Sequence, residues 1–561
     1  MILDKIRQTI ALAVGKSGIS VEAEEIKIEH PTDFTLGDYS TNIALILAKR
    51  TDKKPQDLAK EIVSFIQTDE DLARVEVAGP GFINFYLTDK FFVGQVAKVL
   101  AEKDCFGSGS PKGKKVLVEY SSPNIAKPFS IGHLRSTIIG DAVANILKFC
   151  GYEVIRDNHL GDWGTQFGKQ IVAIKKWGDV EAISKSENPV KELVALYVKF
   201  HEEAEKDPSL EDEARAEFLK LEQGDLDAKK LWQSCIDWSM VQFDKIYGEL
   251  GVKFDTVLGE STFVARAEEV YKALMENNLM KESEGADLVF FADEKIPPMI
   301  VRKKDGSSIY ATRDLGADLE RKEKYGEGLT IINEVGGEQE MYLRQLFETE
   351  KMLGWYKDGE RIHVSHGLYR FSDGKMSTRK GNVIWLEDVL AETIKRAEAF
   401  NADKEVASLV GIGALKYNDL KRDSKANILF DWEEVMNLKG NSGPYLQYAH
   451  ARTQSILAKA EKEGVFAAPR SFSEVGETIS AVEKLLYRFP EVVARACQDY
   501  APHHLATYLY DLASTFSGYY VDHQVVSQEA NSPYRVALTE AVGIVLKNGL
   551  KLLGIEAPKK M

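Results

Sequence analysis

The sequence predicts a multidomain α/β protein, in which a domain built on a parallel sheet lies between an α+β domain and an all-α bundle. Three observations support this fold class. The chain has 561 residues, more than one hydrophobic core usually serves. An apolar run at 114–120, a helical pattern from 132 and a strand-like stretch at 152–160 alternate as β–α–β units do. From about 410 onward, almost every segment has helical periodicity.

The composition is that of a globular protein, with 44% hydrophobic and 28% charged residues. No apolar run approaches the roughly 20 residues that span a bilayer. Charges interrupt the first 18 residues, which indicates an amphipathic helix and not a signal peptide. The four cysteines are far apart and form no CxxC pair, which argues against a disulfide framework or a zinc site. We therefore expect a cytoplasmic protein without a membrane partner.

The formal net charge of −15 disfavours indiscriminate binding of nucleic acid. It leaves room for one folded RNA that is bound through local basic patches.

The first domain is expected at 1–106, where helical patterns alternate with the strand-like stretches "EEIKIEH" and "VEVAGPGFINFYL". The composition of "GSGSPKGKK" at 107–115 indicates a linker. The first half of the parallel-sheet domain follows, at 107–164.

The next stretch, 165–285, is charged and reads as helical throughout. Its acidic run could be a binding tail, but Ala214, Phe218 and Leu221 keep helical spacing, which favours the solvated face of an ordinary helix. The second half of the sheet domain is expected at 286–425. There, a hairpin should return the chain to the sheet, and two strands, "LTIINEVGG" and "RIHVSHGLY", should precede a polar loop. The helical bundle occupies 426–561.

The stretch "SSPNIAKPFSIGHLRSTIIGD" at 121–141 forms an elbow between a strand and a helix. Ligands of parallel sheets bind at such elbows, and a helix N-terminus attracts phosphate. Gly132 would let the backbone approach a ligand closely, His133 would add a directional donor, and Lys127 would add a full positive charge. The stretch contains neither GxxxxGK[ST] nor GxGxxG, so by itself it also fits a capping turn with a locally packed histidine.

A second polar element, "DGKMSTRKG" at 373–381, combines cations and hydroxyls in a glycine-flanked loop. Such a loop suits a triphosphate whose charge must be neutralised during transfer, although alone it could be a solvated basic loop. A phosphate-accepting elbow and a basic loop at opposite ends of one sheet together predict a nucleotide-transfer site.

These motifs carry a resemblance to a known family. "SIGH" is similar to the HIGH motif and "KMSTR" to the KMSKS motif of class I aminoacyl-tRNA synthetases. "SSPNIAKP", "HLGDWGTQFG", "YATRDL", "GNSGPYLQYAHAR" and "LLGIEAPKKM" resemble arginyl-tRNA synthetase, and the resemblance runs from 37 to 561. It implies a Rossmann-like catalytic domain at 107–164 and 286–425, interrupted by a helical connective insertion. It also implies an N-terminal domain for the outer corner of tRNA, near the D-loop, and a C-terminal anticodon-binding bundle.

The resemblance implies an arginine–tRNA ligase, which uses ATP to form arginyl-adenylate and pyrophosphate and then transfers arginyl to the terminal adenosine of tRNA. Mg²⁺ is expected with ATP, with no metal site fixed by the protein. The implied catalytic residues are Lys127, Ser130, Gly132, His133, Lys375 and Ser377. The implied ATP-binding residues are Gly132, His133, Lys375, Met376, Ser377 and Arg379.

Two positions depart from the family motifs. Ser130 stands where HIGH begins with histidine, although a hydroxyl can still donate a hydrogen bond. Thr378 stands where KMSKS has its second lysine, and Lys127 is expected to supply the missing charge.

Arginine recognition needs planar, paired acceptors. Tyr310 and Asp314 are four residues apart in a predicted helix with Ser307 or Ser308 as N-cap, so they share a face. Asp314 could bind a guanidinium through two hydrogen bonds, although the pattern alone also fits an exposed pair on a surface helix. The resemblance implies the arginine-binding set Glu119, Ser121, Asn124, Tyr310, Asp314 and Gln339.

For tRNA, the resemblance points to Phe82 and Asn84 in "PGFINFYL", although Phe82 could also be a core residue. In the bundle, Tyr445, Tyr448 and Arg452 have helical spacing, and Tyr520 and Met561 complete the implied anticodon platform.

Three alternatives stay open from the sequence: a class I synthetase for another amino acid, a catalytically impaired tRNA-binding paralogue and a plain nucleotidyltransferase. The expected partners are tRNA(Arg), L-arginine and ATP, and the expected state is a monomer.

Overall fold

The computed structural model describes residues 1–303, 310–370, 384–399, 401–468 and 478–561. Within these ranges, no helix is both long and apolar enough to cross a membrane.

The N-terminal domain is α+β, as predicted. Its four antiparallel strands, in the order β1-β2-β4-β3, pack against helices around a core that includes Ile10, Tyr39 and Phe85. Its strands are β1 (Ile28–Glu29), β2 (Tyr39–Thr41), β3 (Leu72–Ala78) and β4 (Phe82–Leu87); its helices are α1 (Ile2–Lys16), α2 (Ile43–Ala48), α3 (Pro55–Ser64) and α4 (Asp89–Glu102).

The central sheet has five parallel strands in the order β12-β11-β5-β6-β7. They are β5 (Lys115–Glu119), β6 (Glu153–Leu160), β7 (Thr256–Gly259), β11 (Thr330–Gly336) and β12 (Arg361–His366). The strand β5 lies in the middle, which explains its continuous apolar run, because a central parallel strand is covered on both faces. The parallel sheet predicted from the β–α–β alternation is confirmed.

The strand β7 corrects the prediction that 165–285 is helical throughout. It has only four residues and pairs at one edge of the sheet with β6, so its sequence carries little strand periodicity of its own. The strand β8 (Met280–Ser283) also lies in this stretch, near its end. The helices of the stretch are α6 (Thr165–Trp177), α7 (Val180–Lys185), α8 (Pro189–Lys206), α9 (Ser209–Glu222), α10 (Leu226–Leu250) and α11 (Val264–Glu276). Ala214 and Leu221 on α9 are buried, which confirms an amphipathic helix in place of an acidic tail.

The predicted return of a hairpin to the main sheet is wrong. The strands β8 (Met280–Ser283), β9 (Ala286–Val289) and β10 (Met299–Arg302) form a separate antiparallel sheet, because β9 finds partners on both sides within this segment. This small sheet shares a core with α11, α12 (Tyr310–Tyr325) and α13 (Glu340–Met352).

From about 410 onward the described residues are mostly helical, as predicted. The short strand β14 (Ile428–Leu429) is an exception, and it pairs with β13 (Tyr369–Arg370). The helices from 386 onward are α14 (Leu386–Glu398), α15 (Lys404–Leu420), α16 (Trp432–Val435), α17 (Gly443–Lys462), α18 (Ala481–Leu486), α19 (Phe489–Gln498), α20 (Pro502–Asp522) and α21 (Ser532–Leu552). One apolar core continues from the bundle into α5 (Ile131–Phe149), the helix between β5 and β6. The bundle is therefore packed directly against the helix that follows the elbow.

Candidate active site

The elbow leaves β5 through an unusual backbone. Ser121, Ser122 and Ala126 have φ of 72°, 43° and 57°, a left-handed conformation that non-glycine residues rarely adopt. Their N–H groups donate, at 2.9–3.1 Å, to three side chains from different elements: Ser136, Asn158 and Ser239. Strained backbone that is over-determined in this way is typical of functional sites.

Two predicted arginine-binding residues build the elbow itself. The Ser121 hydroxyl lies 2.8 Å from the Tyr247 hydroxyl and accepts a hydrogen bond of 2.8 Å from Thr137. It is therefore already engaged within the protein. Asn124 pairs with Gly161, the residue that follows β6, and fixes the elbow to the neighbouring strand end.

The mouth of α5 holds His133 in one orientation. The Ser130 backbone N–H donates to His133 Nδ1 at 3.0 Å, which places the proton of a neutral ring on Nε2. Burial lowers the pKa of His133 to about 4, and the nearby positive charges of Lys127 and His366 act in the same direction. At neutral pH, this side chain is an uncharged N–H donor.

The chain that follows the KMSTR motif is hydrogen-bonded to the elbow. The Leu386 N–H donates to the Phe129 carbonyl at 2.9 Å, the Ile131 N–H donates to the Ile384 carbonyl at 3.4 Å, and Ser130 bridges to Trp385. The predicted residues of the motif, Lys375, Met376, Ser377, Thr378 and Arg379, lie outside the described residues, as do Ser307 and Ser308.

A cavity of about 210 Å³ opens beside the elbow at the carboxyl ends of β5, β6 and β11. It brings together three predicted arginine-binding residues, Glu119, Asp314 and Gln339. Tyr310 does not line the cavity directly, but its ring lies 4.9 Å from that of Tyr342, which does. Ser121 and Asn124 lie in the adjoining elbow.

Buried charges form one wall of this cavity. Arg321 contacts Glu119 at 2.6 Å and Asp318 at 2.7 Å, and it also pairs with Asp157. Although burial opposes ionisation, the charges of Arg361 and Arg321 outweigh it and lower the pKa of Asp318 to about 2. Glu119, at the end of β5, is thus fixed by its ion pair with Arg321. The sequence did not indicate this network, because Glu119 and Asp157 are far from Arg321 along the chain.

Asp314 has two partners that sequence reasoning missed. The Tyr342 hydroxyl donates to Asp314 Oδ2, and His159 Nε2 lies 3.6 Å from Asp314 Oδ1. Burial alone would lower the pKa of His159, but the Asp314 and Glu119 carboxylates outweigh it and raise the pKa to about 9. The one feature of the sequence that could have indicated His159 was its position inside "NHLGDWG", one residue before the end of the strand-like stretch at 152–160.

The loop after β6 is fixed from two sides. The Trp232 indole N–H donates to the Asp162 carbonyl at 2.7 Å, and the Asp162 carboxylate accepts from the Ser261 N–H at 2.8 Å. Glu260, the residue before Ser261, was not among the predicted site residues. Burial and the Asp314 charge raise its pKa.

The residues predicted to contact tRNA fall into two regions. On the N-terminal domain, Phe82 is 39% exposed and available at the surface. Asn84 is 4% exposed and its Oδ1 accepts a hydrogen bond from Ser40, so this amide is part of the sheet interior.

On the bundle, Arg452 brings two exposed tyrosines together. Its guanidinium donates to the Tyr448 hydroxyl at 2.9 Å and lies 5.0 Å and 5.4 Å from the rings of Tyr448 and Tyr520. Tyr445 is half-buried and bonded to Ser517, and Met561 packs partly buried against the bundle core.

Comparisons with known proteins agree with this architecture. Family models match for an arginyl tRNA synthetase N-terminal domain at 2–87, for the catalytic domain of class I (R) tRNA synthetases at 95–432 and for a DALR anticodon binding domain at 446–561. Arginine–tRNA ligases from Exiguobacterium sp. and Latilactobacillus sakei are each 41% identical to the chain. They cover 99% and 100% of it, and the matches span 99% and 100% of their own lengths.

Solved structures are similar over the whole chain. The arginyl-tRNA synthetase of Plasmodium falciparum matches with a TM-score of 0.83, and that of Thermus thermophilus with 0.82. Both are 25% identical and cover 100% of this chain, with 99% and 100% of their own chains covered. The chain belongs to the arginyl-tRNA synthetase family of class I aminoacyl-tRNA synthetases.

Proposed function

We propose that this chain activates L-arginine with ATP and transfers the arginyl group to tRNA(Arg). The observation that carries the proposal is the position of the Asp314 cavity: it is lined by Ser122 of the elbow, and the same elbow leads to the neutral N–H donor of His133 at the start of α5. A cation-binding pocket and a phosphate-binding helix mouth then lie side by side, as the joining of arginine to an adenylate requires.

In the first step, the arginine carboxylate attacks the α-phosphate of ATP, and pyrophosphate leaves with the electrons of the broken P–O bond. His133 would donate Nε2–H to an oxygen of the reacting phosphate, where negative charge increases. Gly132 leaves space for the phosphates, because a Cβ there would meet only Ser130 Oγ, at 3.4 Å. Lys127, with Lys375 and Ser377 of the motif, would neutralise the phosphate charge, and Mg²⁺ would enter with ATP.

Arginine would be selected mainly by charge and planarity. Asp314 offers two carboxylate oxygens, and four lone pairs, of which Tyr342 uses one. A guanidinium can therefore still form two hydrogen bonds with it, which a lysine ammonium cannot reproduce. Gln339 borders the same space, Tyr310 packs against Tyr342 of its wall, and Glu119 would bind the α-ammonium group. A buried pocket of this kind discriminates strongly against analogues that leave its groups unpaired.

In the second step, a ribose hydroxyl of the terminal adenosine of tRNA attacks the carbonyl carbon of the adenylate, and AMP leaves. The cluster of Tyr448, Arg452 and Tyr520 supports a role in holding anticodon bases, since exposed aromatic and guanidinium planes stack on bases. Phe82 would contact the outer corner of tRNA. We further propose that the protein works as a monomer in the cytoplasm.

The test is ATP–pyrophosphate exchange with each of the twenty amino acids, with and without total tRNA. We expect exchange with arginine alone, and only when tRNA is present. Exchange with another amino acid would mean that the pocket is misassigned. No exchange, from a protein that still binds tRNA(Arg), would favour a catalytically silent paralogue.

A further inference from the structure

His159 lies in the arginine pocket although no step of the proposed reaction requires it. Its side chain is 13% exposed, and Nε2 points toward Asp314 Oδ1 at 3.6 Å. Its ring stacks on Phe263, with centroids 5.6 Å apart, which limits its movement. Neither ring nitrogen has a hydrogen-bond partner within the described structure. The imidazole is thus held in place chiefly by packing and by charge.

The charges around His159 explain why a cation is favoured there. They come from four elements around the ring: Glu119 on β5, Asp162 after β6, Glu260 in the turn after β7, and Asp314 and Arg321 on α12. Arg321 is already shared among three carboxylates, and Arg313 contacts Glu260 at 3.2 Å. Among the described residues, this leaves His159 as the cationic partner of Asp314.

A second cation cannot be added to this arrangement without cost. A guanidinium bound at Asp314 would stand within a few ångströms of a protonated His159. Like charges at such a distance in a partly buried site repel strongly. A neutral imidazole, in contrast, restores the charge balance that existed before the substrate entered.

We infer that His159 is a resident cation of the empty pocket, and that arginine replaces its charge by displacing one proton from the imidazole to solvent. His159 is then a positioning residue: it holds the Asp314 carboxylate in place before the substrate binds and is neutral in the complex. This inference rests on the proposed function, because it concerns the same arginine pocket.

The expected consequence is a pH-dependent KM for arginine. Between pH 7 and 9, the empty pocket binds a proton that the complex lacks, because the pKa of His159 lies at about 9. Arginine binding must therefore strengthen as pH rises, by up to about tenfold per pH unit. The α-amino group of free arginine also titrates near this range, so the effect must be measured against a variant that lacks the imidazole.

The experiment measures KM and kcat for arginine in aminoacylation at pH 7.0, 8.0 and 9.0, with saturating ATP and tRNA. It compares wild type, His159→Gln, His159→Asn and a control, His504→Gln, whose histidine pairs with Asp499 on the bundle surface. We expect the wild type and the control to show the same fall in KM with rising pH. In both His159 variants, the fall in KM between pH 7.0 and 9.0 should be at least about fivefold smaller than in wild type. Their KM at pH 7.0 should be no higher than that of wild type.

Equal pH slopes in wild type and both His159 variants would overturn the inference. So would a large rise in KM at pH 7.0 in the folded variants, since the imidazole would then be needed in the complex. Loss of arginine-dependent activity by the wild type at every pH would instead refute the proposed function. Thermal unfolding of each variant separates these outcomes from misfolding, and the asparagine variant serves if the glutamine variant does not fold.

Discussion

Arg135 on α5 and Asp419 on α15 form an ion pair of 3.1 Å in which each side chain is 1% exposed. Arg135 also donates to the carbonyl oxygens of Ala426 and Ser424, at 2.8 Å and 3.0 Å. The helix that begins at the proposed phosphate site is therefore fixed to the helix that leads into the bundle. Because both charges are buried, each depends on the other.

We expect Asp419→Ala to destabilise the protein severely. It leaves the Arg135 guanidinium buried without its counter-charge, a change that typically costs about 3–5 kcal/mol. Urea unfolding followed by circular dichroism should show an earlier transition. Lys185→Ala is the control, because Lys185 pairs with Glu181 on an exposed surface and should change nothing measurable. A wild-type transition for Asp419→Ala would mean that this ion pair does not hold the two helices together.

The low pKa of His133 predicts an acid-sensitive contribution to stability. The folded pKa is about 4, below the ordinary value of 6.5, so the unfolded chain binds a proton first as pH falls. The contribution is complete above pH 6.5 and is lost as pH falls toward 4. As pH falls from 6.5 to 4, the unfolding midpoint of wild type should therefore fall relative to the midpoint of His133→Asn. A constant difference would contradict a buried neutral ring.

Two glycines of the site should respond differently to alanine. At Gly161, a Cβ would lie 2.3 Å from Asn124 Oδ1, so Gly161→Ala must displace the elbow. Overpacking of this kind costs about 1–3 kcal/mol, and we expect kcat/KM for exchange to fall roughly 10- to 100-fold. At Gly132, a Cβ has space in the folded protein, so Gly132→Ala should keep its stability and raise mainly the KM for ATP. The reverse pattern would mean that Gly132 does not face the nucleotide.

Substitutions in the cluster of Tyr448, Arg452 and Tyr520 should weaken tRNA binding and leave arginine activation unchanged. We expect Arg452→Ala to raise the KM for tRNA by about tenfold, in line with about 1–3 kcal/mol per stacked base. The KM for arginine at saturating tRNA should stay the same. Lys459→Ala, two turns further along α17 and 57% exposed in its side chain, is the matched control. If both variants behave alike, the effect is general electrostatics and not stacking.

The C-terminal segment should affect the use of tRNA because it is docked on the helices of the bundle. Three polar side chains contact its backbone carbonyls: Lys416 at Gly554, Gln447 at Glu556 and His450 at Pro558. Removal of residues 559–561 deletes Met561 but leaves these contacts in place. We expect a weaker use of tRNA at unchanged thermal stability. Unchanged tRNA kinetics would exclude Met561 from the platform.

The parts that the sequence predicted well are local ones. The strand β5, the elbow and α5 follow one another directly, so apolar runs and turn residues were enough to place them. The face shared by Tyr310 and Asp314 follows from helical spacing alone.

The missed parts depend on contacts between distant segments. The strand β7 has four residues and is defined by its pairing with β6, and the Arg321 network joins three separate elements. His159 and Tyr342 meet Asp314 only in the folded chain. Asn84 shows the converse: the resemblance pointed to it as a tRNA contact, whereas the pairing of β4 with β2 buries its amide.

The bond between Trp232 and Asp162 gives this protein an intrinsic optical reporter. The indole is tied to the loop that carries Asp162, and the same loop holds the turn that contains Glu260 through Ser261. A change in this loop on ligand binding must alter the polarity around the ring, which also stands perpendicular to Trp163 at 5.8 Å. Tryptophan fluorescence, compared between wild type and Trp232→Phe, would therefore report a movement of this loop on arginine binding in unlabelled protein, separately from catalysis.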